Sequence, residues 1–122
     1  MSDQLERFFG AWGEADDGAR MEALEGALAP AFTYSDPRSP GRVTDIAQLN
    51  DYLAAFTANA PGWTAKVLRA DGLNGYSRVL VAFGGPGPDG SEMTQHGQYF
   101  AETDEMGRIE TLAGFAGPGG IE

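Results

Sequence analysis

The sequence has 122 residues, with 18 Asp or Glu against 8 Lys or Arg, so its formal net charge is −10. Such an acidic chain repels nucleic-acid phosphates and anionic membrane surfaces, so we expect no nucleic-acid or membrane partner. The length suits one domain over residues 1–122, and the 42% hydrophobic content argues against disorder. The sequence contains no cysteine, which excludes disulfides and thiol chemistry, and it shows no signal peptide. We therefore expect a cytoplasmic protein.

Three stretches in the first half of the chain show the period of amphipathic helices. Residues 5–12 place apolar side chains at positions i, i+3, i+4 and i+7, which is one face of a helix. The same spacing predicts helices over residues 17–28 and 46–60. Pro30 is expected to stop the second of these helices. A short strand over residues 32–35 is predicted between the second and third helices.

The apolar period changes to two residues in the second half of the chain, which predicts strands. The four predicted strands are residues 63–70, 76–84, 91–102 and 108–115. The gaps between them are short, so neighbouring strands should pair antiparallel. Helices followed by strands predict an α+β fold, a cone-shaped, cystatin-like roll with three helices packed on a curved, mainly antiparallel sheet. The open end of such a cone is a natural pocket.

The sequence provides no convincing cofactor or metal motif. Residues 85–90 match G-x-G-x-x-G, but a predicted strand follows them where the dinucleotide motif requires a helix. Pro86 and Pro88 also lack the backbone N–H groups that would hold a phosphate. The acidic residues are dispersed and lack the spacing of metal ligands. We predict no cofactor and no metal.

Asp36 is the most informative carboxylate, because it follows the predicted strand 32–35 and precedes Pro37. In one interpretation, it ends the strand and accepts hydrogen bonds from the turn. In the other, the aromatic residues of the strand shield it partly from water, which strengthens it as a general base. Pairing with Arg38 or Arg42 would weaken that base. The sequence leaves these alternatives open.

His96 is the single histidine, and it shares one face of the predicted strand 91–102 with Gln98. It is either a sheet histidine hydrogen-bonded to a neighbour, or a donor or general acid directed into the cone. In the second case, Gln98 would hold a polar atom of the ligand. A histidine and a glutamine opposite Asp36 form a plausible acid–base arrangement, so these three are the candidate catalytic residues.

Large aromatic side chains are the candidates for contact with a ligand. In small domains such residues usually form the core, but in a cone the core and the pocket lining are continuous. We expect two or three of them to contact the ligand and the rest to provide packing. The candidate substrate-binding residues are Trp12, Tyr34, Phe56, Trp63 and Phe115.

Two short motifs and their spacing carry a family resemblance. The first is aromatic-x-Asp-Pro at residues 34–37, and the second is Gly-Arg-Ile at residues 107–109, with an L..YL..F helix between them. With this order of elements, the sequence resembles the nuclear transport factor 2-like superfamily, especially its SnoaL-like proteins and ketosteroid isomerases. The resemblance implies a cone of three helices on a curved sheet, a pocket between them, and a homodimer formed through the sheet.

The same resemblance implies roles for individual residues. The general base of the ketosteroid isomerases corresponds to Asp36, and their oxyanion-binding tyrosine and acid correspond approximately to Trp12 and Gln98. It implies an isomerase-, cyclase- or hydrolase-type acid–base enzyme for an apolar carbonyl or ring-containing metabolite. The alternatives are a pocket that binds such a ligand without turnover, and a unit that serves only for dimerisation.

Overall fold

In the computed structural model, residues 3–117 are described, and their elements follow the predicted order. Three helices and five strands are present in this range, with a single 3₁₀ turn at Ala11–Gly13. The helices are α1 (Asp3–Gly10), α2 (Asp17–Ala27) and α3 (Ile46–Asn59), and the strands are β1 (Leu28–Ser35), β2 (Thr64–Leu73), β3 (Tyr76–Pro86), β4 (Glu92–Thr103) and β5 (Ile109–Ala116). None of these helices is long and apolar enough to span a bilayer.

The five strands form one curved sheet in the order β1-β5-β4-β3-β2. Strands β2 to β5 pair antiparallel with their sequence neighbours, which confirms the predicted meander and the α+β fold class. Strand β1 pairs parallel with β5, a pairing that the sequence did not indicate. This parallel pairing sets Ser35, the last residue of β1, beside Ala113 of β5, and Asp36 follows directly after it.

The predicted start of β1 is wrong. The strand begins at Leu28 and not at residue 32, so Pro30 lies inside β1 and does not terminate helix α2, which ends at Ala27. Proline is tolerated there because β1 is an edge strand, so its missing N–H leaves no ladder bond unmade. The β1–β5 register also shifts between Leu28 and Thr33, next to this proline.

The inner face of the sheet and the apolar faces of the helices form one core. Along the strands the buried side chains alternate with more exposed ones, as expected for a sheet with one covered face. Buried core residues of the central strands and of α1 include Val79, Val81, Tyr99, Ala101, Leu112, Leu5, Phe8 and Phe9. Within residues 3–117, no helix or further strand layer covers the outer face of the sheet.

A buried arginine joins the helices that cover the sheet. Arg20 of α2 is only 2% exposed, and its guanidinium donates to Asn50 Oδ1 on α3 at 2.9 Å and to the Glu14 carbonyl at 2.8 Å. A third bond, of 2.5 Å, goes to Asp17, whose side chain is exposed. The three bonds hold α2, the segment before it and α3 in one arrangement over the sheet.

Candidate active site

A pocket of about 460 Å³ opens between α3, the 3₁₀ turn and the inner face of the sheet. Its polar residues include Asp36, Arg38, Gln95 and His96. Half of the remaining lining residues are aromatic, namely Trp12, Tyr52, Phe56, Trp63, Phe83, Tyr99 and Phe115. An aromatic wall with few polar groups is typical of sites for small apolar molecules.

The Asp36 carboxylate is held at the edge of this pocket by four hydrogen-bond donors. The Tyr34 hydroxyl donates to Oδ2 at 2.5 Å, and the Tyr52 hydroxyl lies 2.7 and 2.9 Å from the two carboxylate oxygens. The backbone N–H groups of Arg38 and Ser39 donate to Oδ1 at 2.9 and 2.7 Å. Asp36 therefore orders the turn and faces the pocket at once, so the two interpretations of this residue are compatible in space.

Asp36 forms no ion pair with Arg38 or Arg42 in the described part of the chain. The ion pairs found in residues 3–117 are Arg20–Asp17, Arg78–Asp71 and Arg108–Asp104. The negative charge of Asp36 is thus stabilised by hydroxyl and amide dipoles instead of by a cation. The arginine pairing that would weaken Asp36 as a base is therefore absent from the described residues.

A second hydroxyl extends the network along the inner face of the sheet. The hydroxyl oxygens of Tyr34 and Tyr99 are 3.2 Å apart. The single hydroxyl proton of Tyr34 is used by Asp36, which only accepts, so Tyr99 must donate in this contact. Tyr99 lies across Gly114 of β5, where a Cβ atom would overlap its ring. Glycine at this position is therefore required for the Tyr99 hydroxyl to reach the network.

All three tyrosines of the network are held as neutral hydroxyl donors. Burial raises the pKa of Tyr34 well above its ordinary value, and the negative charge of Asp36 acts in the same direction. Burial also raises the pKa of Tyr52, with a further contribution from its hydrogen bond to Asp36. The pKa of Tyr99 is raised mainly by burial. The phenols therefore stay protonated in the folded protein at pH values where free tyrosine ionises.

These raised pKa values predict alkaline unfolding. Above pH 10.0, the ordinary tyrosine pKa, the unfolded chain loses phenol protons that the folded protein retains. Stability then falls by up to about 1.4 kcal/mol per pH unit for each fully buried tyrosine. In a Tyr76→Phe variant, which leaves only the three network tyrosines, phenolate absorbance should appear together with the loss of circular dichroism. Ionisation of these tyrosines well before unfolding would contradict the network.

The two tryptophans of the pocket differ in hydrogen bonding. The indole N–H of Trp63 donates to the Pro86 carbonyl at 2.9 Å. Trp12 is 3% exposed, and its Nε1 is the one buried side-chain nitrogen or oxygen without a hydrogen-bond partner in residues 3–117. Its ring is packed by Phe56 and Phe83, with centroids 5.0 and 5.3 Å away. Among residues 3–117, the Trp12 indole N–H is thus a buried donor with no acceptor.

Comparisons with known proteins identify the fold. No protein-family model matches the sequence, and no curated protein is significantly similar to it. Among solved structures, a SnoaL-like family protein from Agrobacterium tumefaciens matches with a TM-score of 0.78 at 22% identity, covering 93% of this chain and 94% of that chain. The protein has the nuclear transport factor 2-like fold.

Two further structures support this fold. One, from Catenulispora acidiphila, has a ketosteroid isomerase-like fold and was solved in complex with trimethylamine; its TM-score is 0.73 at 14% identity, with 92% of this chain and 83% of that chain covered. The other is a SnoaL-like protein from Jannaschia, with a TM-score of 0.73 at 17% identity and coverages of 93% and 82%. The predicted resemblance to the nuclear transport factor 2-like superfamily is confirmed at the level of the fold.

The nuclear transport factor 2-like cone brings most of the sequence-predicted site residues together. Six of the eight candidates line the pocket, namely Trp12, Asp36, Phe56, Trp63, His96 and Phe115. Tyr34 has no exposed surface and lies beneath the pocket, where it supports Asp36. Gln98 does not line the pocket.

The expectation that Gln98 faces the interior of the cone is wrong. Successive side chains of a strand point to opposite faces, and Tyr99 and Ala101 of β4 are buried in the core. Gln98 alternates with these buried residues and therefore lies on the outer face, in register with Phe115 of β5, which is 58% exposed and reaches the pocket only at its rim. His96 belongs to the same alternating set, and its exposed side chain reaches only the pocket mouth. The inner positions of β4 include Gln95, Gly97, Tyr99 and Ala101.

Sequence reasoning missed the two tyrosines that matter most to the site, Tyr52 and Tyr99. Tyr52 lies one helical turn before Phe56 on α3, so its place on the pocket face follows from the helical period. The signal for Tyr99 was the presence of glycine at positions 97 and 114, which leave space for a large ring on the inner face. No cluster of three metal-ligating side chains occurs within residues 3–117.

Proposed function

We propose that the protein binds a small apolar, ring-containing carbonyl compound and acts on it as an acid–base enzyme with Asp36 as the general base. The observation that carries the proposal is an Asp36 carboxylate without a cationic partner at the edge of an aromatic pocket. Two similar structures are described as a candidate isomerase and a candidate polyketide cyclase, which are activities compatible with proton transfer. The net charge of −10 disfavours nucleic acid and anionic membranes as partners, which supports a small-molecule partner. The cysteine-free sequence supports a cytoplasmic location.

The proposed chemistry is proton abstraction next to a carbonyl. An Asp36 oxygen takes a proton from the α carbon, and the electron pair of the broken C–H bond forms the C=C bond of an enolate. The negative charge moves to the carbonyl oxygen, where a hydrogen-bond donor of the pocket stabilises it. Return of the proton to a carbon of the substrate regenerates the carboxylate. If the proton returns to a carbon other than the one that lost it, the reaction is an isomerisation.

Asp36 can accept a proton only after one of its donors moves. The carboxylate has about four acceptor sites, and all of them are engaged by the hydroxyl and backbone donors. Tyr34 is fully buried and fixed, whereas Tyr52 is half-buried and lines the pocket. We therefore infer that the substrate displaces the Tyr52 hydroxyl from Asp36 when it binds.

Deuterium exchange tests this function directly. In D₂O the protein should accelerate the replacement of α protons by deuterium in bicyclic ketones such as α-tetralone, which fit an aromatic pocket of about 460 Å³. Proton NMR measures the loss of the α-proton signal against a protein-free sample. Uncatalysed rates for every member of a panel of one- to three-ring ketones would contradict the proposal.

The filled hydrogen-bond shell of Asp36 favours a second candidate, which is ligand binding without turnover. If Tyr52 stays on Asp36 after binding, the carboxylate orders the pocket wall and removes no proton. Ketones would then bind, as seen by chemical-shift changes, and no α proton would exchange. The deuterium experiment and a binding measurement on the same ketone therefore distinguish the two candidates.

We also propose that the protein forms a two-fold homodimer through the outer face of the sheet. Phe100 and Phe115 are 48% and 58% exposed on adjacent strands, and their ring centroids are 5.9 Å apart. Leu80 and Gln98 lie beside them in register. An exposed aromatic patch at the centre of an uncovered sheet face is typical of a protein–protein interface.

Phe100→Glu should convert this dimer to a monomer, because two-fold symmetry places two added carboxylates in one apolar interface. Sedimentation at micromolar concentration measures the change. Met106→Glu is the matched control, since Met106 is 71% exposed in the β4–β5 turn, away from the patch. A monomeric wild-type protein, or a dimer that survives Phe100→Glu, would rule out this interface.

A further inference from the structure

The pocket combines partly exposed aromatic rings with a carboxylate that forms no ion pair within residues 3–117. Tyr52, Phe56, Trp63 and Phe83 are only partly buried, and all four line the pocket. The faces of such rings carry negative electrostatic potential, which attracts ammonium groups. Asp36 adds a full negative charge at the edge of the same space. Aromatic rings around a negative charge are the usual means by which proteins recognise quaternary ammonium ions.

We propose that this pocket binds an organic cation of the quaternary ammonium class that also carries a ring or another apolar group. The proposal goes beyond the ketone chemistry and does not depend on it, because it needs the charge of Asp36 and no proton transfer. The trialkylammonium group would lie against the aromatic rings beside Asp36. The apolar group would occupy the remainder of the pocket of about 460 Å³.

The filled hydrogen-bond shell of Asp36 favours a quaternary ammonium over ligands that need an acceptor. Both carboxylate oxygens already accept hydrogen bonds, from the hydroxyls of Tyr34 and Tyr52 and from two backbone N–H groups. An N–H or O–H group of a ligand must displace one of these donors before it can bond to Asp36. A quaternary nitrogen has no hydrogen to donate and interacts through its charge alone. Asp36 therefore stabilises such a cation while every bond of the network stays in place.

The charge of Arg38 does not cancel that of Asp36 inside the pocket. Among the described residues, Arg38 is the one arginine or lysine in the lining. Its backbone N–H, and not its guanidinium, bonds to the carboxylate. The Arg38 side chain is exposed whereas Asp36 is half-buried, so water and salt screen the arginine more strongly. The net charge of −10 also raises the concentration of cations near the protein.

Two matched probes, (3-hydroxyphenyl)trimethylammonium and 3-tert-butylphenol, test the proposal on the full-length protein. They have the same shape and differ in a charged nitrogen against a neutral carbon. A pocket without a preference for cations binds the neutral phenol more tightly, because the cation loses more hydration. We expect isothermal titration calorimetry to give at least about tenfold higher affinity for the ammonium. Equal or tighter binding of 3-tert-butylphenol, or no binding of the ammonium, would overturn the proposal.

Charge variants test whether Asp36 causes the preference. Arg38→Gln removes a positive charge and keeps the backbone N–H that bonds to Asp36, so it should raise the affinity for the ammonium about threefold. Arg42→Gln is the matched control, because Arg42 is exposed and does not line the pocket. Asp36→Asn should remove the preference and retain the binding of 3-tert-butylphenol. A preference that persists in Asp36→Asn, or an ammonium affinity that Arg38→Gln leaves unchanged, would overturn the role of Asp36.

An aromatic variant tests the contribution of the rings. Phe56→Leu keeps an apolar side chain and removes one ring face from the pocket wall. It should lower the affinity for the ammonium about threefold and change that for 3-tert-butylphenol less. Equal losses for the two probes would contradict a role of the ring in cation binding. These affinities are independent of α-deuterium exchange, so failure of this proposal and failure of the proposed base function are distinguishable.

Discussion

Asp36→Asn is expected to lower the rate of α-deuterium exchange at least about 100-fold, the usual contribution of a positioned general base. An amide cannot take up a proton at neutral pH, so the substitution removes the base and keeps the shape of the side chain. The amide also retains only one acceptor oxygen, and its NH₂ group must face hydroxyl donors of Tyr34 or Tyr52. We therefore also expect a loss of stability of about 1.5–3 kcal/mol, the value of a hydrogen bond to a charged group.

Asp51→Asn is the matched control for this variant. Asp51 is exposed on α3 beside Tyr52, and its substitution removes the same formal charge outside the network. The rate of α-deuterium exchange and the free energy of unfolding from urea denaturation should both stay close to the wild-type values. Exchange that persists in Asp36→Asn would exclude the base role. If the Asp36→Asn protein stays folded and binds ketone but no longer accelerates α-deuterium exchange, the base role of Asp36 is separated from its contribution to the turn.

Arg20→Ala is expected to lower the free energy of unfolding by about 3–5 kcal/mol, the range found when one partner of a buried charged network is removed. The truncation leaves Asn50 Oδ1 and the Glu14 carbonyl without their donors and opens a cavity where the guanidinium was packed. Helices α2 and α3 would lose the bonds that join them. Urea denaturation measures the effect.

Asp17→Asn tests whether this stability comes from the ion pair or from the buried hydrogen bonds. The Asp17 side chain is 78% exposed, so its ion pair with Arg20 is screened by water. We expect a loss within about 1 kcal/mol, as for other exposed pairs. Equal losses in Asp17→Asn and Arg20→Ala would show that the ion pair, and not the buried hydrogen bonding, holds the helices together.

The sequence predicted the elements of the fold well because each has a clear apolar period. The 3.6-residue period marked α1 to α3, and the change to a two-residue period marked β2 to β5. The parallel pairing of β1 with β5 was not predicted, since it joins segments at opposite ends of the chain and no local pattern encodes it. The position of Asp36 at the pocket was one of two alternatives that the sequence left open.

The sequence could not determine which face of β4 points inward. Its two alternating sets both contain polar and aromatic residues, so the apolar pattern alone does not choose between Tyr99 and Phe100. The choice depends on Gly97 and Gly114, which accommodate the Tyr99 ring only on the inner face. The burial of Arg20 could not be predicted either, because its partners Glu14 and Asn50 are 6 and 30 residues away in the chain.

A crystal structure with bound α-tetralone is the most direct test of the central claim that Asp36 meets a ring carbonyl inside the cone. We predict an α carbon about 3–3.5 Å from an Asp36 oxygen, a near-attack distance, with the Tyr52 hydroxyl moved off the carboxylate. Density for the ketone outside this pocket, or a bound ketone with Tyr52 still hydrogen-bonded to both oxygens of Asp36, would contradict the account.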